Sequence, residues 1–218
     1  MTTVIAPTPT PTTARPLPTT ARWPAVLTVA AGGIFLDGAV LTGAYRSSSP
    51  VSDDMFAFPW QGSTAVATSL TWGLAQALMV VGLVAFARSM APDGTTTARV
   101  GARLAIAGGV AFTLAHLFSA LAYDATTEDV GAIVAMSLFG IGTIALAVGL
   151  LLAGNAMRRD PNRSGWARWA PLALGVWLVL MIPLQFTPAL AVAVGGYAVL
   201  VVAFGAALLD SRPVAAGR

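Results

Sequence analysis

The sequence predicts an all-α membrane protein, a six-transmembrane-helix bundle with both termini cytoplasmic, and three observations carry that prediction. Of its 218 residues, 56% are hydrophobic and only 10% charged, with a mean hydropathy of +0.77; soluble domains average about 25% charged residues. Between Arg22 and Arg212 the charges fall in short clusters, separated by apolar stretches of roughly 16 to 27 residues, and about 20 residues cross the hydrocarbon core. The third observation is the placement of arginine. If the spans alternate, Arg15, Arg22, Arg88, Arg99, Arg103, Arg158, Arg159, Arg163, Arg168, Arg212 and Arg218 share one side and Arg46 alone takes the other. By the positive-inside rule the arginine-rich side is cytoplasmic, which makes the cell (cytoplasmic) membrane the expected location.

Residues 1–20 are rich in Thr and Pro, a composition that buries too little apolar surface to offset the entropy of ordering, so this segment reads as a disordered cytoplasmic tail. A secretory signal is the competing reading. Against it, the first apolar run follows Arg22 and contains Asp37; it is about 20 residues long, whereas a signal's apolar region has about 7 to 15. Residues 21–210 form the transmembrane domain and 211–218 a short cytoplasmic tail.

The expected spans are Pro24–Ala44, Thr64–Ala87, Leu104–Leu121, Val130–Asn155, Pro171–Phe186 and Pro188–Leu209. Pro24 and Pro171 suit a first helical turn, where a missing N–H costs nothing. Thr187 followed by Pro188 reads as a cap and first-turn pair opening the sixth helix. Trp23, Trp166 and Trp169 mark one membrane interface, and Tyr45, Trp60 and Tyr123 the other. The outer loops hold Asp53, Asp54, Asp124, Glu128 and Asp129 against the single Arg46, which reads either as solvated loops or as a surface that attracts cations. The loop from Arg46 to Ser63, with Met55, Phe56, Phe58 and Trp60, is expected on the outer interface, as an anchor or as a cover for a cavity below it.

Small residues at steps of four, Gly101, Ala105 and Gly109 on the third helix and Ala145, Gly149 and Ala153 on the fourth, allow close backbone approach in lipid. They serve a seam inside the bundle or a contact with a second copy or a membrane partner. At an offset of 67, Gly73, Gly82 and Gly108 coincide with Gly140, Gly149 and Gly175, which raises a parallel internal repeat of two helical hairpins.

Two ionisable residues lie within the spans, Asp37 and His116, and such residues are candidate functional sites by default. Asp37 precedes Tyr45 by eight residues and His116 precedes Tyr123 by seven, so both sit about 10 to 12 Å below the outer boundary. An Asp in a span costs about 2.5 to 3.5 kcal/mol on insertion scales, close to what the large apolar residues of the first span return. The matched depth therefore predicts an Asp37–His116 pair. Thr113, His116 and Ser119 form one stripe on the third helix, and Ser69 and Gln76 belong to a similar stripe on the second. Together these residues frame a polar intramembrane site, either a protonatable site for substrate or protons or a structural tie between helices.

The inventory narrows the chemistry. There is no Cys and one His, so thiolate metal sites and a bis-His haem within one chain are excluded. No catalytic residue, cofactor site or metal site is assigned, and no cofactor is expected. The net charge of +3 is explained by topology, so the expected partner is the lipid bilayer and no nucleic acid. A non-catalytic protein that acts by interaction or sensing is the leading expectation. A small transporter or transporter accessory subunit is the alternative, with a membrane-embedded enzyme third.

From Ala21 to Leu209, the basic hairpins, the Trp-containing first outer loop, and Gly82 and Leu83 before Arg88 with Gly149 and Leu150 before Arg158 resemble small six-helix integral membrane proteins abundant in actinobacteria. The resemblance implies six spans, no assigned activity and no functional residues.

Overall fold

A computed structural model describes residues 22–90, 95–159, 165–184, 187 and 189–210. The tails 1–20 and 211–218 lie outside the described residues. The helices are α1 (Trp23–Arg46), α2 (Gly62–Met90), α3 (Thr96–Leu121), α4 (Val130–Arg158), α5 (Ala170–Leu184) and α6 (Leu190–Asp210), with a 3-10 turn at Trp166–Trp169 leading into α5. Six helical segments are long and apolar enough to cross a membrane, the fifth counted from Trp166 to Leu184. The chain is therefore an all-helical, multi-pass membrane protein.

Every helix end but the start of α3 falls within three residues of the expected span, and two of the differences have a visible cause. Helix α3 begins at Thr96 rather than Leu104, because the Thr95 hydroxyl accepts the Ala98 N–H at 3.2 Å and caps it. Arg99 and Arg103 are exposed on its first turns; charge limits the apolar span and does not end the helix. At the other boundary, α6 begins at Leu190 rather than Pro188, and Pro188 lies outside the described residues. The Thr187 hydroxyl still caps the turn, accepting the Ala189 N–H at 3.2 Å while donating to the Leu184 carbonyl at 2.9 Å.

Each helix packs against its sequence neighbours, and α6 returns to α1, closing a ring. Phe35 of α1, Met79, Leu83 and Phe86 of α2 and Tyr197, Val201 and Phe204 of α6 are all buried in one core. The Phe86 and Phe204 rings meet edge to face at 5.5 Å, the geometry that aromatic quadrupoles favour.

The tightest seam joins α3 to α4. A Cβ on Gly101 would stand 2.7 Å from the Ala153 backbone nitrogen, and one on Gly142 would stand 2.9 Å from that of Phe112. Gly108 meets Leu146 and Gly149 meets Ala105 in the same way. The α3 side of this seam thus runs Gly101, Ala105, Gly108 and Phe112, which corrects the expected stripe of constant fours. Each step of four turns about 40° past a full circle, and an intervening step of three turns back. Gly109 is consequently rotated off the seam and meets Val80 and Leu83 of α2.

Of the three glycine pairs matched at the 67-residue offset, one does matched work and two do not. Gly82 and Gly149 each face the preceding helix, through Thr28 and Ala105. Gly73, however, packs on His116 where Gly140 meets open space, and Gly108 and Gly175 both face α4.

The α1–α2 and α3–α4 loops, at the end opposite the arginine clusters, are clasped together. Phe56 N–H donates to the Ala125 carbonyl and Thr127 N–H to the Asp54 carbonyl, both at 3.0 Å, around an antiparallel bridge of Met55 and Thr126. Tyr45 stacks on Trp60 at 5.2 Å, and the Arg46 guanidinium lies 5.2 Å from the centre of the Phe58 ring. At the arginine-rich end the guanidiniums of Arg158 and Arg168 lie 5.1 and 5.9 Å from the centre of the Trp169 ring, the range of cation–π attraction.

Candidate intramembrane polar site

The polar stripe of α3 closes on its own helix. Thr113 donates to the Gly109 carbonyl at 3.0 Å and Ser119 to the Ala115 carbonyl at 2.8 Å. Where no water is available, this back-bonding satisfies a hydroxyl without a second helix. Ser69, half-buried on α2, takes part in no hydrogen bond with the other five candidates.

His116 is 5% exposed and stands among aromatic rings. Phe112 stacks on it at 5.5 Å, while Phe139 of α4 and Trp72 of α2 meet it edge to face at 4.8 and 6.0 Å. Gly73 lets α2 come this close, since a Cβ there would be 3.2 Å from the His116 Cβ. The imidazole makes no hydrogen bond or ion pair with the described residues.

Asp37 lies on the exposed side of α1, and no ion pair or hydrogen bond joins it to His116. This corrects the expectation of a pair. Equal depth is not enough; the two side chains must also point the same way around their helices. Gly38 is the α1 position that faces α2, and the Trp72 indole fills the space left by its missing side chain. Asp37, one residue earlier, is turned about 100° from that direction.

Gln76 has the partner that the sequence reading did not supply. Fully buried, its Oε1 accepts a hydrogen bond from the Tyr197 hydroxyl of α6 at 2.9 Å, with the Met79 sulfur 2.8 Å from the same hydroxyl. Its amide nitrogen lies 3.8 Å from that sulfur. Phe35 meets the Tyr197 ring edge on at 5.2 Å. One signal for this contact was present: Tyr197 is far from either aromatic belt, and a buried tyrosine hydroxyl needs a partner.

No family model, curated protein or solved structure matches this chain. The site must therefore be read from its own geometry. Among the described residues no group of three His, Asp or Glu side chains is placed to hold a metal ion. A pocket of about 320 Å³ lies in the cap formed by the α1–α2 and α3–α4 loops, lined by Met55, Trp60, Gln61, Tyr123 and Asp124 among others. None of the six candidate residues lines it. The structure therefore divides the predicted site into three parts: the Gln76–Tyr197 bond across the ring, the aromatic packing around His116, and the outward-facing Asp37.

Proposed function

We propose that this chain is a multi-pass protein of the cytoplasmic membrane, with both termini in the cytoplasm, and that it works by association within the bilayer rather than by moving a solute or catalysing a reaction. The orientation rests on the arginine partition, eleven residues against Arg46. The observation that carries the association reading is how the interior polar groups are used. Thr113 and Ser119 bond to their own helix, Gln76 is taken by Tyr197, and His116 is packed against three rings. A transport pathway needs polar groups free to exchange partners with a solute; Thr113, Ser119 and Gln76 are engaged by hydrogen bonds, and His116, which makes none, is walled in by rings. Of the six candidate residues, Asp37 is the one exposed on the outside of the ring.

Two measurements on the full-length chain test this reading. In digitonin-solubilised membranes the protein should migrate on a native gel as an assembly heavier than one chain. In proteoliposomes under a potassium diffusion potential, proton entry followed with an internal pH dye should equal that of empty vesicles. Migration as a monomer would overturn the reading. So would a proton flux that falls at least about tenfold in Asp37→Asn or His116→Gln, the loss general acid–base residues bring when removed.

A further inference from the structure

Resting on the association reading, we infer that the outer face of α1 is the contact between two copies of this chain, packed side by side about an axis normal to the membrane, with the two Asp37 carboxyls hydrogen-bonded across that axis. Val26, Ala30, Gly33, Asp37, Val40 and Ala44 are all exposed, and they follow one another in alternating steps of four and three. That is the spacing of a helix seam that stays in register along its length. Beside Asp37 the seam is small: Ala30 and Gly33 carry little or no side chain, and a Cβ on Gly33 would meet nothing within 4 Å.

Asp37 says what should cover this face. Its carboxyl makes no hydrogen bond or ion pair with the described residues, and on its own helix the only arginines are Arg22 at the start and Arg46 at the end. A single methylene cannot lift a carboxyl from mid-span to the interface as the long stems of Lys and Arg can. A polar group at that depth is satisfied by a neighbouring helix. A second copy supplies the partner at the right depth by symmetry, because a two-fold axis brings each residue of the seam against its own counterpart. A carboxylic acid group offers an O–H donor beside a carbonyl acceptor, so two of them are self-complementary. By contrast, the exposed face of α4, with Ser137, Ile141, Ile144 and Val148, carries no ionisable group.

The naturally Cys-free chain makes the test direct. Gly33→Cys and Val40→Cys are introduced singly and membranes are oxidised with copper phenanthroline, with Val148→Cys on α4 as the comparison face. The two α1 cysteines should give a disulfide-linked dimer and Val148→Cys should not. In the Val40→Cys background, Asp37→Asn keeps a donor and an acceptor and should leave the dimer within about twofold. Asp37→Leu removes both and should lower it by roughly threefold to thirtyfold, the span of interhelical hydrogen bonds in membranes. Monomer from both α1 cysteines, equal crosslinking at Val148→Cys, or indifference to Asp37→Leu would each overturn the proposal. If native gels still show an assembly while the α1 cysteines stay monomeric, this face is wrong and the association reading stands. If native gels show a monomer, both fall.

Discussion

A tyrosine hydroxyl in the middle of a membrane helix has no water to fall back on, so the value of its bond is set by what its loss would strand. Tyr197 and Gln76 are both buried, and their 2.9 Å bond is a side-chain link between α6 and α2 across the ring. Tyr197→Phe keeps the ring and its contact with Phe35 but leaves the Gln76 carbonyl unsatisfied, which should cost about 1 to 3 kcal/mol. Gln76→Leu should cost less, because the Tyr197 hydroxyl keeps the Met79 sulfur, 2.8 Å away, as a weak acceptor. The double variant should cost clearly less than the two together, since it leaves neither group orphaned. A double-mutant cycle of unfolding in detergent measures this, and additive losses would show that the bond contributes nothing. His116 presents the opposite case, a polar ring held by aromatic packing alone. Asp37 is different again, a carboxyl to which the described residues offer no hydrogen bond or ion pair.

Between elements, close approach replaces the hydrophobic effect, because a helix leaving lipid for another helix gains no transfer free energy and must gain contact instead. The α3–α4 seam shows what this demands of the sequence. Gly149 lies against the Ala105 backbone with no room for a methyl group, while Gly140, on the same helix, meets open space. Gly149→Ala should therefore push α3 and α4 apart and destabilise by about 1 to 3 kcal/mol. Gly140→Ala should change stability by less than about 0.5 kcal/mol. Thermal unfolding of the two purified variants in the same detergent compares them, and equal losses would mean that the seam is not what holds these helices. The same reasoning explains why Gly109, expected on this seam, instead admits Val80 and Leu83 from α2.

At the scale of the whole molecule, the return of α6 to α1 closes the ring, and the α1–α2 and α3–α4 loops lock to each other over one end. That cap fixes where reporter groups can be placed. Ser49 is half-buried and bonded to the Pro59 carbonyl at 2.7 Å, whereas Ser52 and Thr127 are exposed. If both termini are cytoplasmic, as proposed, Ser52→Cys and Thr127→Cys should react with a membrane-impermeant maleimide on intact cells. Thr97→Cys and Arg159→Cys, exposed at the opposite end, should react only after permeabilisation. Labelling of Arg159→Cys from outside would reverse the orientation that the arginines imply.

The number and order of the spans were legible in the sequence because insertion into hydrocarbon depends on the local sum of transfer free energies, which composition supplies segment by segment. Helix boundaries were less so: Arg99 and Arg103 end the apolar run, but Thr95 begins the helix. The candidate site was legible only as a set of depths. Depth along a helix follows from counting residues, and it placed Asp37 and His116 at one level. Which way each side chain turns around its helix depends on which neighbours the helix packs against, and no local count contains that. Tertiary packing therefore decided that Gly38 and not Asp37 faces α2, and that Gln76 meets Tyr197 across the ring. It also decided that His116 is enclosed by Phe112, Phe139 and Trp72. The sequence determined what each helix must bury or expose to lipid; the packing of six helices into a closed ring determined which polar groups find each other.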